Sequence, residues 1–310
     1  MSKFENFSFV STNGKSTINC LKCVPDGEIK GVVQIAHGIS EHIDRYREFM
    51  QFLADNGYVA VGNDHQGHGK SIVKDFSDKG KFAETDGWNS VVSDMVKLHD
   101  IVSEEYPDVK YVMFGHSMGS FLTRTYIIDY PDKYDLAILS GTGQQSKFLI
   151  TAGNMLAKTQ VSKNGYDSDG SKLEDVAFGS YLKRIDHPRT DFDWLSRDDA
   201  VVDKYIADEM CGFTCKNGLY KDMMAGIKYI ANKKNIKKMD VNKPVYFMSG
   251  REDPVGDYGK GVEKAYKCFC DAGIKDVSIR LYDGGRHEML NEINKEDVMN
   301  DILNWINERG

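Results

Sequence analysis

Short apolar runs alternate along the chain with longer stretches in which apolar residues recur every three or four positions. The short runs predict buried strands, and the longer stretches predict amphipathic helices. The predicted strands are 31–37, 58–62, 110–115, 136–140, 245–249 and 277–282. The predicted helices are 45–56, 88–106, 121–130, 148–156, 201–210, 219–231, 261–272 and 296–308, the last with Asn294 as its N-cap.

The alternation of strands and helices stops between positions 142 and 216, where only helices and a polar loop at 163–172 are predicted. Apolar strands that alternate with helices form a parallel sheet covered on both faces. The fold class is therefore predicted as α/β, with a mostly parallel central sheet flanked by helices. Residues 1–141 and 217–310 form the predicted core, and 142–216 form a helical cap, or lid, inserted in it.

Composition narrows the function classes. Of 310 residues, 41% are hydrophobic and 28% are charged, which is typical of a soluble globular protein and excludes disorder, collagen and coiled coil. The net charge of −7 without a basic block argues against a nucleic-acid partner. No apolar run approaches the roughly 18 residues of a membrane span, and the start lacks a signal peptide, so a cytoplasmic location is expected.

Neither the cysteines nor the histidines form a convincing metal site. The six cysteines are too sparse for a disulfide scaffold. Cys20 and Cys23 lie in a further segment that has the pattern of a strand, where residues three apart face opposite sides. No histidine stands at ligand spacing from Cys211 and Cys215. The segment D-H-Q-G-H-G-K-S at 64–71 is interpreted as a tight turn and is not a P-loop. No metal is expected.

A candidate nucleophile lies in G-H-S-M-G, which is G-x-S-x-G between a predicted strand and a helix. Such a turn holds Ser117 in a strained conformation with its hydroxyl above the sheet. Side chains two positions away on either side would collide, so Gly115 and Gly119 are required. The N-terminus of the following helix favours negative charge, and the backbone N–H of Met118 faces a developing oxyanion.

A serine hydroxyl needs a general base, and enzymes with this turn carry their acid and histidine later in the chain. Asp253 follows a predicted strand in G-R-E-D-P-V-G, and Glu252 and Asp257 compete with it. Asp253 is favoured because it occupies the tightest part of the turn. His287 follows the last predicted strand and is the only histidine after Asp253. The carboxylate would accept the Nδ1 proton and stabilise the imidazolium.

The second oxyanion donor is expected in the loop H-G-I-S-E-H after the first predicted strand. Gly38 allows close approach of the backbone, and the N–H of Ile39 is the expected donor. His37 and His42 are interpreted as bracing this loop by hydrogen bonds rather than as catalytic groups.

Five motifs in this order, H-G-I-S-E-H, D-H-Q-G-H-G-K-S, G-H-S-M-G, G-R-E-D-P and G-G-R-H-E-M-L-N-E, resemble the monoacylglycerol lipase and lysophospholipase branch of the α/β-hydrolase superfamily. The segment 192–205 is similar to bacterial lysophospholipase-like members, and the resemblance covers nearly the whole chain. The resemblance implies the α/β-hydrolase fold and a serine hydrolase of carboxylic esters without metal or organic cofactor. It implies these roles: a triad of Ser117, Asp253 and His287, with Ile39 and Met118 as oxyanion donors. One departure is Ser120, where glycine often follows the turn.

The expected reaction is acyl transfer to Ser117 from a monoacylglycerol, a lysophospholipid or a short- or medium-chain ester. Phe148, Met155, Trp194 and Phe213 are candidates for the acyl pocket by residue type, although ordinary cap packing is expected for at least half of them. The expected partners are a small ester or lipid and, through the cap, at most a transient contact with a membrane surface. A homodimer is possible.

Two alternatives stay open. An aryl or cinnamoyl esterase or an aminopeptidase has the same fold, and an aminopeptidase needs a carboxylate in the pocket to hold its cationic amine. The cap offers four acidic candidates whose direction the sequence does not give: Glu174, Asp175, Asp198 and Asp199. A non-catalytic binding protein of this fold is the alternative of another class. Dehalogenases and epoxide hydrolases use aspartate at the turn, so Ser117 argues against both.

Overall fold

The computed structural model describes residues 2–309. Eight strands form one sheet, and in chain order they are β1 (Lys3–Val10), β2 (Thr17–Val24), β3 (Gly31–Ala36), β4 (Tyr58–Asn63), β5 (Lys110–His116), β6 (Leu136–Ser140), β7 (Val245–Gly250) and β8 (Val277–Tyr282). Their spatial order is β1-β2-β4-β3-β5-β6-β7-β8. The pairs β1–β2 and β2–β4 are antiparallel and the other pairs are parallel, which confirms the predicted α/β class with a mostly parallel sheet.

Ten α-helices connect or flank these strands. They are α1 (Arg47–Asp55), α2 (Gly87–Glu105), α3 (Met118–Asp129), α4 (Lys147–Asn164), α5 (Ser171–Phe178), α6 (Asp199–Ala207), α7 (Asn217–Ile230), α8 (Lys233–Ile236), α9 (Lys260–Ala272) and α10 (Lys295–Asn307). Short 3₁₀ turns lie at Ile43–Tyr46, Gly69–Ser71 and Met289–Asn291. Within residues 2–309, no helix is long and apolar enough to cross a membrane.

The apolar side chains of the strands divide between two cores, one on each face of the sheet. Cys20 belongs to one core and Cys23 to the other, as the strand interpretation of C-x-x-C requires, and both are fully buried. The two thiols therefore lie on opposite faces of the sheet and cannot bind one metal ion together. Because β3 and β5 to β8 run parallel, their carboxyl ends meet at one edge of the sheet, where the loops with the predicted site residues begin.

The structure differs from the predicted elements in a few places. Strand β1 and helices α5 and α8 were not predicted, and α5 begins inside the stretch that was interpreted as a loop. Helix α5 has eight residues, of which only Leu173 is buried, so it leaves almost no periodic apolar pattern. Asn294 occupies the N-cap position of α10, but its side chain makes no capping hydrogen bond there.

Between β6 and β7 the described chain contains helices but no strand, from α4 to α8. We refer to residues 142–216 as the helical insert. The boundaries of the insert with the core, before residue 142 and after residue 216, stay a prediction.

Candidate active site

Ser117 stands at the turn between β5 and α3 with φ of 53° and ψ of −121°. A positive φ is uncommon for a residue with a side chain and persists only where the surrounding structure enforces it. The backbone N–H of Ser117 donates a hydrogen bond to the carbonyl of Ser140 at the end of β6, at 3.0 Å. Helix α3 begins with Met118, so its first N–H groups have no partner inside the helix and point to the region of the serine.

The two glycines of the turn are enclosed by backbone. A Cβ atom at position 119 would overlap the carbonyl oxygen of Ala36 and lie 2.5 Å from that of His37. A Cβ atom at position 115 would lie 2.5 Å from the carbonyl oxygen of Gly119. Backbone atoms of the sheet do not move aside as the end of a flexible side chain does, which explains why the turn needs glycine at both positions.

Replacing Gly119 by alanine should therefore lower the stability of the protein. We expect the free energy of unfolding to fall by about 1–3 kcal/mol or more, the cost of overpacking a dense interior. Denaturant unfolding followed by circular dichroism measures the change. Gly27→Ala is the matched control, because a Cβ atom at Gly27 has no neighbour within 4 Å. Equal unfolding midpoints for the two variants would contradict the steric argument.

The carboxylate that contacts the predicted base is Asp253. Its Oδ1 lies 3.0 Å from Nδ1 of His287, and both side chains are buried. Asp253 also accepts hydrogen bonds from the hydroxyl of Ser249 at 2.8 Å and from the backbone N–H of Val255 at 2.9 Å. With Nδ1 donating to the carboxylate, Nε2 of His287 carries the lone pair that a general base needs.

Burial and charge act in opposite directions on this pair. Burial acts to lower the pKa of His287, but the Asp253 carboxylate, with smaller contributions from Glu288 and Glu41, outweighs it and leaves this pKa above its ordinary value. Burial acts to raise the pKa of Asp253, but His287 and the hydrogen bonds to the carboxylate lower it overall. The geometry therefore favours an ionised Asp253 that stabilises a protonated His287.

Two further groups pack against His287, and sequence reasoning assigned a role to neither. The ring of His116 lies 4.6 Å from that of His287, between centroids, and burial lowers the pKa of His116 to about 4. Gly141 has φ of 58°, and a Cβ atom there would lie 2.8 Å from Cε1 of His287. The sequence did carry a signal for Gly141, because a glycine directly after a parallel strand lies at the edge of the sheet where the loops with the site residues begin.

The loop after β3 is fixed by a buried carboxylate that sequence reasoning missed. The N–H of Gly38 donates to Glu41 at 2.5 Å, and the hydroxyl of Tyr46 donates to the same carboxylate at 2.9 Å. Arg45 pairs with Glu41 at 2.6 Å and, through two nitrogens, with Glu288 at 2.7 Å. Burial acts to raise the pKa of Glu41, but Arg45, His116 and the hydrogen bonds from Gly38 and Tyr46 together outweigh it, so this pKa lies below its ordinary value. Arg45 thus joins the loop of Ile39 to the loop of His287.

The helical insert is hydrogen-bonded to the same loop. The hydroxyl of Tyr205 and the N–H of Gly212 both donate to the carbonyl of Ser40, at 3.0 and 2.9 Å. The hydroxyl of Ser40 donates to the carbonyl of Phe213 at 2.7 Å. Part of the insert is therefore held against the residues next to Ile39.

The insert also contacts the loop that carries His287. The N–H of His287 donates to the carbonyl of Trp194 at 3.3 Å, and the N–H of Glu288 donates to that of Leu195 at 2.8 Å. The Trp194 ring lies 5.1 Å from the His287 ring, between centroids. The insert thus supplies a wall beside the imidazole.

Ser117 and His287 line a common cavity. The wall is completed by residues of the loop after β3, of the insert and of the loop that carries His287, together with His116 of β5: Gly38, Ile39, Ser40, Glu41, His116, Glu174, Phe178, Phe192, Trp194, Leu195, Tyr205, Gly212, Phe213 and Glu288. The cavity therefore brings together the candidate nucleophile, the candidate base and Ile39.

Of the four aromatic or methionine candidates for the acyl pocket, Trp194 and Phe213 line this cavity and Phe148 and Met155 do not. The last two lie on the outer side of α4 and are 79% and 67% exposed. The buried side of α4 is formed by Ile150, Asn154, Ala157 and Gln160. Two of these four buried residues are polar, whereas Phe148 and Met155 on the exposed side are apolar. Residue type therefore predicts the wrong buried face for this helix. Three other aromatic residues of the insert line the cavity: Phe178, Phe192 and Tyr205.

The interpretation of 64–71 as a turn agrees with its contacts. The Asp64 carboxylate accepts hydrogen bonds from the backbone N–H groups of Ile43 and Lys70, at 2.8 and 2.9 Å. His37 has the predicted bracing role, since its Nε2 accepts a hydrogen bond from the N–H of His65 at 2.9 Å and its Nδ1 donates to the carbonyl of Gly38 at 2.7 Å.

One group of residues brings three potential metal ligands within 4.8 Å of one another: His42, Asp208 and Cys211. A histidine does therefore approach Cys211, from a position distant in the sequence. Nε2 of His42 is already hydrogen-bonded to Asp208 at 2.8 Å, as its predicted bracing role requires. Burial raises the pKa of the Cys211 thiol, which disfavours the thiolate that a metal binds.

Comparison with known proteins shows the same architecture. The family described as Hydrolase_4, serine aminopeptidase, S33, matches residues 27–294. A monoacylglycerol lipase of Mycolicibacterium smegmatis is 27% identical over 291 residues, which cover 91% of this chain and 90% of that protein. A monoglyceride lipase of Mus musculus is 23% identical over 295 residues, covering 94% and 86%.

A solved structure shows the similarity in three dimensions. The crystal structure of a highly thermostable carboxyl esterase from Bacillus coagulans, in complex with glycerol, has 31% sequence identity and a TM-score of 0.91, with 99% of each chain covered. The match to the family extends over most of the sequence, and the fold agrees with it. The chain therefore belongs to the Hydrolase_4 (serine aminopeptidase, S33) family of α/β-hydrolases, in the monoacylglycerol lipase-like branch that its motifs resemble.

Proposed function

We propose that this chain, a carboxylic ester hydrolase, cleaves monoacylglycerols and short- or medium-chain acyl esters with Ser117 as nucleophile, His287 as general base and Asp253 as the acid that orients the base. One observation carries the proposal. His287 lines the same cavity as Ser117, which stands at a strained turn, and the buried carboxylate of Asp253 lies 3.0 Å from Nδ1 of His287. This combination of groups is the one that nucleophilic acyl transfer requires.

In the proposed acylation, Nε2 of His287 takes the hydroxyl proton of Ser117 as Oγ forms a bond to the carbonyl carbon. The electron pair of the C=O bond moves to oxygen, and the N–H groups of Ile39 and Met118 stabilise the resulting oxyanion. Each such donor contributes about 2.7–4 kcal/mol to lowering the barrier. The intermediate then collapses, the bond to the alcohol breaks, and His287 returns the proton to the leaving oxygen.

Deacylation repeats these steps with water in place of the serine. His287 takes a proton from the water as its oxygen attacks the acyl carbon, and the oxyanion occupies the same position. The bond to Oγ then breaks, Ser117 regains its proton from His287, and the carboxylic acid leaves. Asp253 stays ionised throughout and stabilises the imidazolium in both halves of the reaction.

The charge of the cavity favours a neutral alcohol group over one that carries a phosphate. Three carboxylates belong to the wall, those of Glu41, Glu174 and Glu288, whereas no lysine or arginine is among the described residues that line it. Phosphate groups are usually held by arginine, lysine or a helix N-terminus, and the N-terminus of α3 at this site is assigned to the oxyanion in the proposed reaction. We therefore favour monoacylglycerol over lysophospholipid among the substrates that the resemblance implies.

A panel of substrates tests this proposal. p-Nitrophenyl esters of rising chain length should be cleaved, amino-acid p-nitroanilides should not, and a monoacylglycerol should be cleaved at least tenfold faster than the same molecule with a phosphate on its glycerol. The kcat/KM values measure these differences. Faster cleavage of the anilides would favour the aminopeptidase alternative, and faster cleavage of the phosphate-bearing lipid would contradict the argument from charge.

A further inference from the structure

Glu174 differs from the other two carboxylates of the cavity in its partners. Glu41 and Glu288 both pair with Arg45, which lies behind the wall. Glu174 instead accepts a hydrogen bond from the hydroxyl of Tyr220 at 3.2 Å. A phenol donates a hydrogen bond but brings no positive charge, and no lysine or arginine is among the described residues that line the cavity to which Glu174 presents its carboxylate.

The position of Glu174 is set by elements that are anchored in the core. Glu174 lies in the first turn of α5, where a helix N-terminus favours negative charge. Tyr220, its hydrogen-bond donor, belongs to α7 and is 2% exposed. The buried side chain of Leu173 fixes the adjacent position of α5 in the core. The carboxylate is therefore held in place while it stays half-buried at the cavity wall.

Aromatic rings connect the surroundings of Glu174 with the base. The ring of Phe178, one turn further along α5, lies 6.4 Å from that of Tyr220 and 6.3 Å from that of Trp194, between centroids. The Trp194 ring lies 5.1 Å from His287. Phe178 and Trp194 both line the cavity. Aromatic faces attract a cation within about 6 Å of the ring centre.

A carboxylate and aromatic rings in the wall of one cavity are groups that recognise a positively charged nitrogen. We propose that Glu174, together with Phe178 and Trp194, makes this enzyme select esters that carry an ammonium group, either a quaternary nitrogen in the alcohol or a protonated amine in the acyl part. The proposal rests on ester hydrolysis at Ser117 and names a substrate class for it. Neutral esters are still cleaved, without the additional attraction.

Pairs of substrates that differ only in charge test the proposal in the unmodified enzyme. Butyrylcholine and 3,3-dimethylbutyl butyrate differ by a nitrogen and a carbon, and glycine benzyl ester and benzyl propionate differ by an ammonium and a methyl group. We expect kcat/KM to be at least tenfold higher for the charged member of one or both pairs. The choline pair reports a cation in the alcohol and the glycine pair a cation in the acyl part. Equal or lower values for the charged member of both pairs would overturn the proposal.

A matched pair of variants assigns the selectivity to the carboxylate. Glu174→Gln should lower the ratio of kcat/KM for the charged ester to kcat/KM for the neutral ester at least tenfold, mainly through a higher KM for the charged ester. Asp175→Asn removes the same charge from the next residue, which is exposed and does not line the cavity, and should keep the preference. If Glu174→Gln slows both esters alike, Glu174 has no role in recognising charge.

These outcomes are separable from the proposed function itself. Failure of the cation proposal leaves the hydrolysis of neutral esters, and its dependence on Ser117, intact. Failure of the proposed function abolishes both, because no ester of either pair is then turned over at that serine.

Discussion

Ser117→Ala removes ester hydrolysis almost completely while the protein stays folded. The loss of the hydroxyl deletes the acyl-enzyme route, and kcat should fall by about a million-fold, the effect of deleting the nucleophile in other serine hydrolases. The substitution removes a single oxygen atom from a half-buried position, so the fold should tolerate it. A fluorophosphonate probe, which reacts covalently with an activated serine, should label the unmodified protein and should not label the variant.

Ser180→Ala serves as the control for this experiment. Ser180 is an exposed serine of the helical insert that does not line the cavity, so its replacement should leave both the label and the turnover unchanged. The experiment also decides between an enzyme and a non-catalytic binding protein of the same fold. An unmodified protein that neither reacts with the probe nor cleaves any ester would contradict the assignment of Ser117.

Asp253→Asn has the second-largest expected effect. An asparagine preserves the shape of the side chain but removes the charge that holds the proton on Nδ1 of His287, and kcat should fall by about 10,000-fold. The pH profile should also shift. Asp253 holds the pKa of His287 above its ordinary value, and the base acts only when neutral, so activity in the unmodified enzyme falls as the pH drops through this raised pKa.

Without the carboxylate, burial dominates and lowers the pKa of His287, so the acid limb of kcat/KM in Asp253→Asn should lie at lower pH. His116 does not account for such a limb, because burial lowers its pKa to about 4. Asp257→Asn is the control, since Asp257 was an alternative acid in the same turn. If Asp257→Asn showed the larger loss, or if the limb of Asp253→Asn stayed in place, Asp253 would not be the orienting acid.

The comparison of Asp253 with its neighbours shows where local sequence stops being informative. The strand before it and the tight turn indicated an acid in this loop, but three carboxylates lay within six residues. Only the structure shows which of them lies 3.0 Å from His287, because that distance depends on how β7 and β8 pair and where their loops end. The turn at Ser117 was easier to predict, since the strand before it, its glycines and the helix after it are consecutive in the chain.

The helical insert shows the opposite case. Helix α4 buries Asn154 and Gln160 and exposes Phe148 and Met155, so residue type alone gave the wrong pocket residues on this helix, although Trp194 and Phe213 elsewhere in the insert do line the cavity. The ion pairs of Arg45 with Glu41 and Glu288 were equally invisible, because Glu288 is 243 residues away. The face that a helix buries depends on the surface on which it packs, and the insert packs on elements distant in sequence.

By itself, the sequence determined the alternation of strands and helices, the sharp turn at Ser117 and the order in which the acid and the histidine follow. These features depend on residues that are neighbours along the chain, whose spacing and backbone preferences are local properties. The tertiary structure decided which carboxylate meets His287, which side chains of the insert form the cavity wall, and that Glu174 faces this cavity without a cationic side chain beside it in the wall. Such contacts join segments from separate parts of the chain, and the packing that brings those segments together has no counterpart in any local pattern.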